Sequence, residues 1–225
     1  MSLTLTLGGA RAQCRASGAL WLEAARALIV ADLHLEKGSA FAARGQMLPP
    51  FDTSETLTRL EAETADLDPA ILVLLGDTLH DAAAENRMSP MTADRLTRLT
   101  QGRRLIWVLG NHDAEGPARL PGEVAAELEL DGLTLVHEPT PEARPGEVAG
   151  HLHPCAKVRG RGASVRRRCF VTDGERIVLP AFGALAGGLN IRDAAFAGLF
   201  RRAPLAGILN DGAVHPVAFA ALAAD

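Results

Sequence analysis

Metal-binding side chains recur in five short motifs of the 225-residue sequence, each associated with an apolar segment. The motifs read DLH, GD, GNHD, VH and GHLH in chain order. In extended backbone, residues i and i+2 point to the same side, so the two polar residues of DLH, or the two histidines of GHLH, can reach one ion. A mixture of imidazole nitrogen and carboxylate or carbonyl oxygen suits Mn, Fe, Zn or Ni better than Ca. The residues supplied by the motifs are Asp32, His34, Asp77, Asn111, His112, Asp113, His137, His151 and His153.

Any one of these motifs has an ordinary structural explanation. An Asp-x-His arises readily by chance, a buried histidine is more often a hydrogen-bonded core residue than a ligand, and Gly-Asp after a strand is usually a turn. The set is harder to explain in this way, because five of the seven histidines lie inside the motifs. Open α/β sheets place their sites at the carboxyl ends of strands, so the set predicts a metal site at such an edge.

Short apolar segments precede the motifs and predict the strands that position them. ALIVA at 27–31 and ILVLL at 71–75 are continuous apolar runs, typical of strands buried on both faces. LIWVL at 105–109 and LTLV at 133–136 are similar, and residues 3–7 alternate apolar residues with Thr, as a half-exposed strand does.

Helix signals lie between these strands. Asp52 with Glu55 three residues later resembles a capping box. Ser89-Pro90 predicts the start of a second helix, and Gly102 predicts its end. Strands that alternate with helices indicate an α/β fold.

The C-terminal third predicts additional antiparallel strands. Asp173-Gly174 and the NDG sequence at 210–212 each lie between apolar runs, a signal for β-hairpins. The sequence contains no internal repeat and no clear linker. We therefore expect a single domain over residues 1–225.

Composition argues against several other classes of protein. The net charge of −4 disfavours a protein that binds polyanions over its whole surface, and the absence of tyrosine disfavours an aromatic base-stacking platform. The three cysteines are too few and too irregular for a disulfide framework. Neither a signal peptide nor an apolar stretch of about 20 residues is found. We expect a cytoplasmic protein without a membrane segment.

Taken together, the five motifs resemble the calcineurin-like metallophosphoesterase superfamily over residues 32–153. The resemblance implies an α/β, four-layer sandwich of two mixed β-sheets flanked by helices. It also implies a hydrolase that acts on phosphoesters with two divalent metal ions. The implied ligands of the first ion are Asp32, His34 and His153, and those of the second are Asn111, His137 and His151.

The same resemblance assigns the remaining residues of the motifs. Asp77 would bridge the two ions, at the separation of roughly 3.5–4 Å that clamps a phosphoryl transition state. A water shared by the ions would lose a proton near neutral pH and attack phosphorus. His112 would face the substrate phosphate, to stabilise charge or protonate the leaving oxygen. Asp113 would either orient His112 or cap the following turn. We expect Mn first, with Fe, Zn or Ni as alternatives.

A narrower resemblance extends into the flanking sequence. Six stretches are similar to the bacterial ligase-associated DNA-damage-response endonucleases, over about residues 28–191: DLHLEKGSAFAARGQMLPPFDT, GDTLHD, GNHD, VHEP, GHLHPCAKV and LPAFGALAGGLNI. This resemblance implies hydrolysis of phosphodiesters, with DNA as substrate in a repair context. It also implies a functional link to a DNA ligase and a helicase.

Basic residues near the motifs are candidates for substrate contacts. Lys157, Arg159, Arg161 and residues 166–168 form a basic run after GHLH, which either grips phosphates flanking the scissile bond or is a solvated loop. Arg44, shortly after DLH and Lys37, is a further candidate because guanidinium binds phosphate in a forked geometry. The substrate-binding candidates are Arg44, Lys157 and Arg159.

Three neighbouring features carry no assigned chemistry. His80, close behind Gly76-Asp77, is expected at the cleft rim or on the surface. Cys155 is interpreted as a small buried residue. The Gly- and Ala-rich segment 182–190 either passes close to the metal site or forms a tight loop.

The sequence leaves three functions open. The first is a phosphodiesterase or nuclease acting on DNA, and the second is a phosphodiesterase or phosphatase for small, including cyclic, nucleotides. The third is a binding scaffold without chemistry, which the complete motif set disfavours. The native metals, the oligomeric state and the choice between endonuclease and exonuclease also stay open.

Overall fold

A computed structural model describes residues 2–142, 144–160 and 163–225 of the chain. Its strands form two mixed β-sheets. In chain order they are β1 Leu3–Leu7, β2 Ala10–Cys14, β3 Leu20–Leu22, β4 Ala27–Ala31, β5 Ile71–Leu75, β6 Arg104–Val108, β7 Glu123–Ala125, β8 Leu128–Leu130, β9 Leu133–Leu135, β10 Glu147–Ala149, β11 Cys155–Gly160, β12 Ala163–Thr172, β13 Arg176–Val178, β14 Leu205–Asn210 and β15 Ala213–Ala218.

Each sheet combines parallel and antiparallel pairs. The first sheet has the order β1-β2-β3-β4-β5-β6-β7, antiparallel as far as β4 and parallel from β4 to β7. The second has the order β15-β14-β12-β13-β10-β9-β8, with β9, β10 and β13 parallel and β11 paired to β12. The predicted pair of mixed sheets is therefore confirmed.

A shared apolar core holds the two sheets face to face. Leu22 and Ile29 of the first sheet lie in one fully buried cluster with Leu135, Val148 and Phe170 of the second. Burial of a side chain of this size contributes roughly 1.5–3 kcal/mol to stability. The packing fixes the edges of the two sheets relative to each other, and the site described below draws residues from both edges.

Helices cover the other face of the first sheet. Leu57, Leu60 and Leu96 on the helices are buried in one cluster with Val30 and Leu72 on the strands. In chain order the helices are α1 Lys37–Ala43, α2 Asp52–Leu67, α3 Ala84–Arg87 and α4 Pro90–Arg98.

Short 3-10 turns contribute to the covering of the other face of the second sheet. Phe196 of the turn Ala194–Phe196 packs in a buried cluster with Val171 and Ile208 of that sheet, and Phe219 packs against the same cluster. The predicted α/β sandwich with helices on its outside is confirmed, and the described helices are few. The two sheets share one core.

The structure corrects one helix signal and confirms the other. Asp52 is the first residue of α2 and does not cap it; Phe51 occupies the cap position without a side-chain hydrogen bond. The capping-box prediction was wrong because the Asp52 carboxylate accepts the backbone N–H of Gly38 at 2.9 Å instead, which ties α1 to α2. Ser89 caps α4 as predicted, and α4 ends at Arg98, before Gly102.

Both predicted hairpins are present. β12 and β13 pair antiparallel around Asp173-Gly174, and β14 and β15 pair around residues 211–212. The three cysteines are buried free thiols. No helix among the described residues combines the length and apolar character needed to cross a membrane.

Candidate metal centre

The predicted ligands converge where loops from both sheets meet. Asp32 and Asp77 follow β4 and β5 of the first sheet, and His137 and His151 follow β9 and β10 of the second. The carboxyl ends of parallel strands share an edge, so these loops emerge on the same side of each sheet. The predicted Asp and His ligands form two groups there.

The first group consists of Asp32, His34 and His153, whose ligand atoms all lie within 4.8 Å of one another. The Nε2 atoms of His34 and His153 are 3.2 Å apart, and His153 Nε2 lies 3.4 Å from Asp32 Oδ1. The Asp32 carboxylate is fixed because it accepts the backbone N–H of His151 at 3.0 Å and 3.1 Å. Three convergent donors of this kind are what one transition-metal ion requires from a protein.

The second group consists of Asp77, His137 and His151, again with ligand atoms within 4.8 Å of one another. His151 Nδ1 lies 3.1 Å from His137 Nε2, which lies 3.4 Å from Asp77 Oδ1. Two imidazoles and a carboxylate oxygen therefore converge beside the first group.

Asp77 lies between the two groups. Its Oδ1 is 3.4 Å from His137 Nε2, and its Oδ2 is 3.9 Å from His34 Nε2. Oδ1 also accepts the backbone N–H of His112 at 2.9 Å, which holds the carboxylate in this orientation. One oxygen faces each group, and this is the geometry that a bridging ligand needs.

The charges of these groups fit bound divalent cations. Asp32 and Asp77 are 0 % and 3 % exposed. No Lys or Arg among the described residues forms an ion pair with either carboxylate, and a buried carboxylate is costly without a cation. Burial, with repulsion from His153 and His112, lowers the pKa of His34 to about 2. His34 is then a neutral imidazole at physiological pH, which is the form that binds metal.

The backbone is bent to aim these side chains. Asp32, His34, Asp77, His151 and His153 all have φ between 44° and 67°. Residues other than glycine rarely adopt this left-handed region, and such strain clusters at functional sites.

A close approach explains the glycine of GHLH. A Cβ atom at Gly150 would lie 2.6 Å from Asp32 Oδ2 and 2.9 Å from the Ala31 side chain. We expect Gly150→Ala to displace the Asp32 carboxylate and to weaken metal binding roughly 10–100-fold, the usual cost of disturbing groups that orient ligands. Isothermal titration with Mn²⁺ measures this change.

Gly187→Ala is the matched control for that variant. Gly187 lies in the segment that crosses the site, and a Cβ there would meet no atom within 4 Å. It should bind Mn²⁺ as the wild type does. An unchanged affinity in Gly150→Ala would show that the Asp32 position does not depend on this contact.

Asn111 and His112 lie in the loop after β6, and both are exposed. They line a surface cleft together with Leu79 and Asp81. The side chain of His112 is 44 % exposed, and its Nε2 lies 4.0 Å from Asp77 Oδ2. His112 is thus placed beside the metal groups and open to solvent, as the predicted phosphate-facing residue must be.

The bonds of the Asp113 side chain among the described residues match neither of its two alternatives, orienting His112 or capping the turn that follows. Its carboxylate is buried and accepts backbone N–H groups from Thr78 at 2.8 Å, Leu79 at 3.1 Å and Gly110 at 3.0 Å. Burial raises the pKa of Asp113 in spite of these bonds. Asp113 therefore ties the β5 and β6 loops together, and the group that contacts the His112 ring is a different one.

His80 holds His112, a role that the sequence did not indicate. The Nδ1–H of His112 donates to the backbone carbonyl of His80 at 2.6 Å; a carbonyl can only accept, so this bond fixes the proton on Nδ1. The two rings also stack, with centroids 5.2 Å apart. The sequence offered little indication of this role, because the contact is made by the backbone carbonyl of His80 and not by its side chain. Only the closeness of His80 to Asp77 in GDTLHD placed it near the site.

The predicted basic residues are distributed unequally around the centre. Lys37 and Arg44 are close enough that their charges contribute, after burial and His112, to lowering the pKa of His80. Lys157 and Arg159 lie on β11, which begins two residues after His153. At about 3.3 Å per residue, Arg159 is about 13 Å beyond the start of that strand.

The described residues of the basic run lie on two paired strands and not in a loop. β11 and β12 pair antiparallel from Cys155 opposite Arg168 to Gly160 opposite Ala163. Arg161 lies outside the described residues. Cys155 is buried, as predicted.

Segment 182–190 lies against the loops that carry Asp32 and His153. Of the two alternatives for this segment, passage close to the site and a tight loop, the structure shows the first. The Gly183 N–H donates to the Asp32 carbonyl at 3.1 Å. A Cβ at Gly183 would collide with the Leu33 carbonyl, and one at Gly188 with the His153 carbonyl. These glycines allow the segment to lie directly on the backbone that carries the ligands.

Comparisons with known proteins agree with this geometry. Residues 25–179 match the family described as Calcineurin-like phosphoesterase, and this range contains all five motifs. The chain is also similar to the crystal structure of Pseudomonas putida nuclease MPE, with 33% sequence identity over 96% of this chain and 100% of that one, and a TM-score of 0.75.

A second solved structure is a more distant match. Yfce, a phosphoesterase from E. coli, shares 16% identity over 85% of this chain and 98% of that chain, with a TM-score of 0.40. That likeness is too low to support an argument. No curated protein sequence matches the chain.

Proposed function

The chain belongs to the calcineurin-like phosphoesterase family and is a metal-dependent phosphoester hydrolase, and from this premise we propose that it is a nuclease that cleaves phosphodiester bonds of DNA with two divalent metal ions. The observation that carries the proposal is the pair of ligand groups on either side of Asp77. The similarity to a nuclease over nearly the whole chain supports a diester as the substrate.

We assign the ligands from the two groups, and Asn111 from the resemblance of its GNHD motif. Asp32, His34 and His153 would hold one ion. Asn111, His137 and His151 would hold the other, and Asp77 would be shared between them. When bound, the two ions supply an activated water for attack on phosphorus and screen the phosphate charge. Mn²⁺ is the first expected metal, with Fe, Zn or Ni as alternatives, because a mixture of imidazole and carboxylate donors suits all four.

The protein contributes proton transfer and orientation at this site. The His80 carbonyl keeps the proton on Nδ1 of His112, so Nε2 is the nitrogen directed to the centre. A protonated Nε2 donates to a non-bridging phosphate oxygen or gives its proton to the leaving oxygen. Asp113 supports this loop through its three backbone contacts.

Cations around the centre select an anionic substrate. The charges of Lys37 and Arg44 contribute to lowering the pKa of His80, and the forked guanidinium of Arg44 suits a phosphate. Lys157 and Arg159 extend the positive charge along β11. A role in DNA repair, with a DNA ligase and a helicase as functional partners, follows from the resemblance of the flanking sequence.

A substrate panel tests the proposed function. Purified protein with Mn²⁺ is given bis-p-nitrophenyl phosphate, p-nitrophenyl phosphate, a 2′,3′-cyclic nucleotide, and single- and double-stranded DNA, each with and without EDTA. We expect EDTA-sensitive cleavage of the small diester and of DNA.

Each other outcome supports a different function. Cleavage of the small nucleotides without DNA would overturn the nuclease assignment and favour a nucleotide phosphodiesterase. Absence of all turnover, with two equivalents of metal shown to be bound, would favour a non-catalytic scaffold.

A further inference from the structure

A pocket rich in arginine lies beside the metal centre and has no part in the chemistry described above. It is lined by Arg59 of α2 and by Arg166, Arg167 and Arg168 of β12, together with Ser17 and Glu55. These six residues define the arginine pocket. Four guanidinium groups face one carboxylate in a chain whose net charge is −4, so positive charge is concentrated at this point.

The position of the pocket follows from strand register. β3 pairs antiparallel with β4, with Leu20 opposite Ile29, so the turn before Leu20, which contains Ser17, lies at the end of β4 that leads to Asp32. Neighbouring strands are about 4.8 Å apart. Ala184, which also lines the pocket, is one residue from Gly183, whose N–H donates to the Asp32 carbonyl. The arginine pocket and the metal centre therefore lie side by side, separated by the backbone at residues 182–184.

Part of this arginine cluster has a structural purpose. Arg168 donates to the carbonyls of Ala181, Ala184 and Ala186 at 3.0–3.1 Å, and Arg59 donates to that of Phe182. These bonds hold the segment that lies against the ligand loops. They explain the position of Arg168, because three N–H donors of its guanidinium group are occupied by these carbonyls.

The remaining arginines keep capacity for a ligand. The Nε of Arg59 is buried and has no hydrogen-bond partner among the described residues. Arg166 donates to the Gly188 carbonyl and lies 3.6 Å from Asp225, and Arg167 donates to Asn210 and to a backbone carbonyl. Each guanidinium has five N–H donors, and among the described residues most donors of these three arginines have no hydrogen-bond partner.

Charge repulsion gives a further reason to expect an anion. Burial lowers the pKa of both Arg59 and Arg168, and the charge of Arg59 contributes to the shift of Arg168. Like charges that are partly removed from water repel each other, and a bound anion offsets this cost. Forked guanidinium donors match the oxygens of a phosphate.

We propose that the arginine pocket binds a backbone phosphate of the nucleic-acid strand whose scissile phosphate lies at the metal centre. The strand crosses the backbone at residues 182–184, so the pocket favours polymeric substrates over single nucleotides. This inference rests on the proposed nuclease function and assigns it a strand-positioning surface.

The test removes two charges at the pocket mouth and leaves the metal ligands intact. The variant is Arg166→Gln with Arg167→Gln, and both residues are exposed. The matched control is Arg11→Gln with Arg104→Gln, because Arg11 and Arg104 are also exposed and lie away from the carboxyl ends of the strands. Binding of a fluorescein-labelled dT12 oligonucleotide is measured by anisotropy in EDTA at several salt concentrations, so no cleavage occurs.

We expect the pocket variant to bind dT12 roughly 5-fold more weakly than the control at 0.1 M salt. The slope of log K against log salt should become shallower by about 0.7, since the pocket holds one phosphate and each phosphate contact to a single strand contributes about 0.7. With Mn²⁺, kcat/KM for bis-p-nitrophenyl phosphate should be unchanged while KM for DNA rises.

Equal binding and equal salt slopes in the two variants would overturn the proposal. An equal loss of activity on the small diester and on DNA would also overturn it, because the effect would then act through the metal centre. Failure of the nuclease assignment is distinguishable, since wild-type protein would then fail to cleave DNA whatever the variants bind.

Discussion

Replacing Asp77 with alanine is expected to abolish turnover, because this carboxylate faces both ligand groups. Its oxygens lie 3.4 Å from His137 Nε2 and 3.9 Å from His34 Nε2, so its loss is expected to weaken the binding of both ions. Metal content measured by mass spectrometry should fall below that of the wild type. Thermal unfolding gives an independent readout: metal at 100 times its Kd stabilises the native wild type by about 2.7 kcal/mol, and the variant should lose most of this gain.

Two further variants separate loss of metal from loss of fold. Asp77→Asn keeps an acceptor for the His112 N–H and removes the charge, so it should fold normally and still lose metal. Asp94→Ala removes an exposed carboxylate on α4 and should behave as wild type. Normal turnover in Asp77→Ala would contradict the bridging role.

The sequence was sufficient to predict those parts of the fold that depend on continuous apolar runs. Ala27–Ala31 and Ile71–Leu75 are the central strands β4 and β5, because burial on both faces leaves no polar position in them. β10 could not be found in this way, since Glu147 lies in this three-residue strand and is fully buried. Its charge is compensated by Arg176 at 3.0 Å on the neighbouring strand, a contact that no local pattern reveals.

The same distinction applies to the site. The motifs could be recognised from side-chain type and spacing, but the division of their residues into two groups was implied only by the family resemblance. Spacing alone predicted that His151 and His153 reach one ion, and this was wrong, because the structure places them in different groups. The support of His112 could not be predicted, because it comes from the backbone carbonyl of His80. Asp113 was left between two roles for a related reason: its acceptors are satisfied by backbone N–H groups of another loop.

Replacing His112 with alanine is expected to leave both metal ions bound and to lower kcat by about 10²–10⁴-fold, the usual contribution of a general acid or base. Its Nε2 is directed to the centre while Nδ1 is occupied, and the two ligand groups on either side of Asp77 do not include it. His112 also lies in a third group, with His34 and His80, whose ligand atoms are within 4.8 Å of one another, so the metal content of the variant is a necessary measurement. Metal content and steady-state kinetics on the same preparation measure the two effects separately. His215→Ala is the matched control, because His215 is exposed on β15.

The leaving group then distinguishes the two roles proposed for His112. A proton donor matters most when the departing oxygen is a strong base, as the sugar oxygen of DNA is, and least for p-nitrophenolate, which needs no proton. If His112 protonates the leaving group, His112→Ala should lose far more activity on DNA than on bis-p-nitrophenyl phosphate. Equal losses on the two substrates would instead indicate stabilisation of charge on the non-bridging oxygens. Loss of metal from His112→Ala would contradict both roles and make this histidine a ligand.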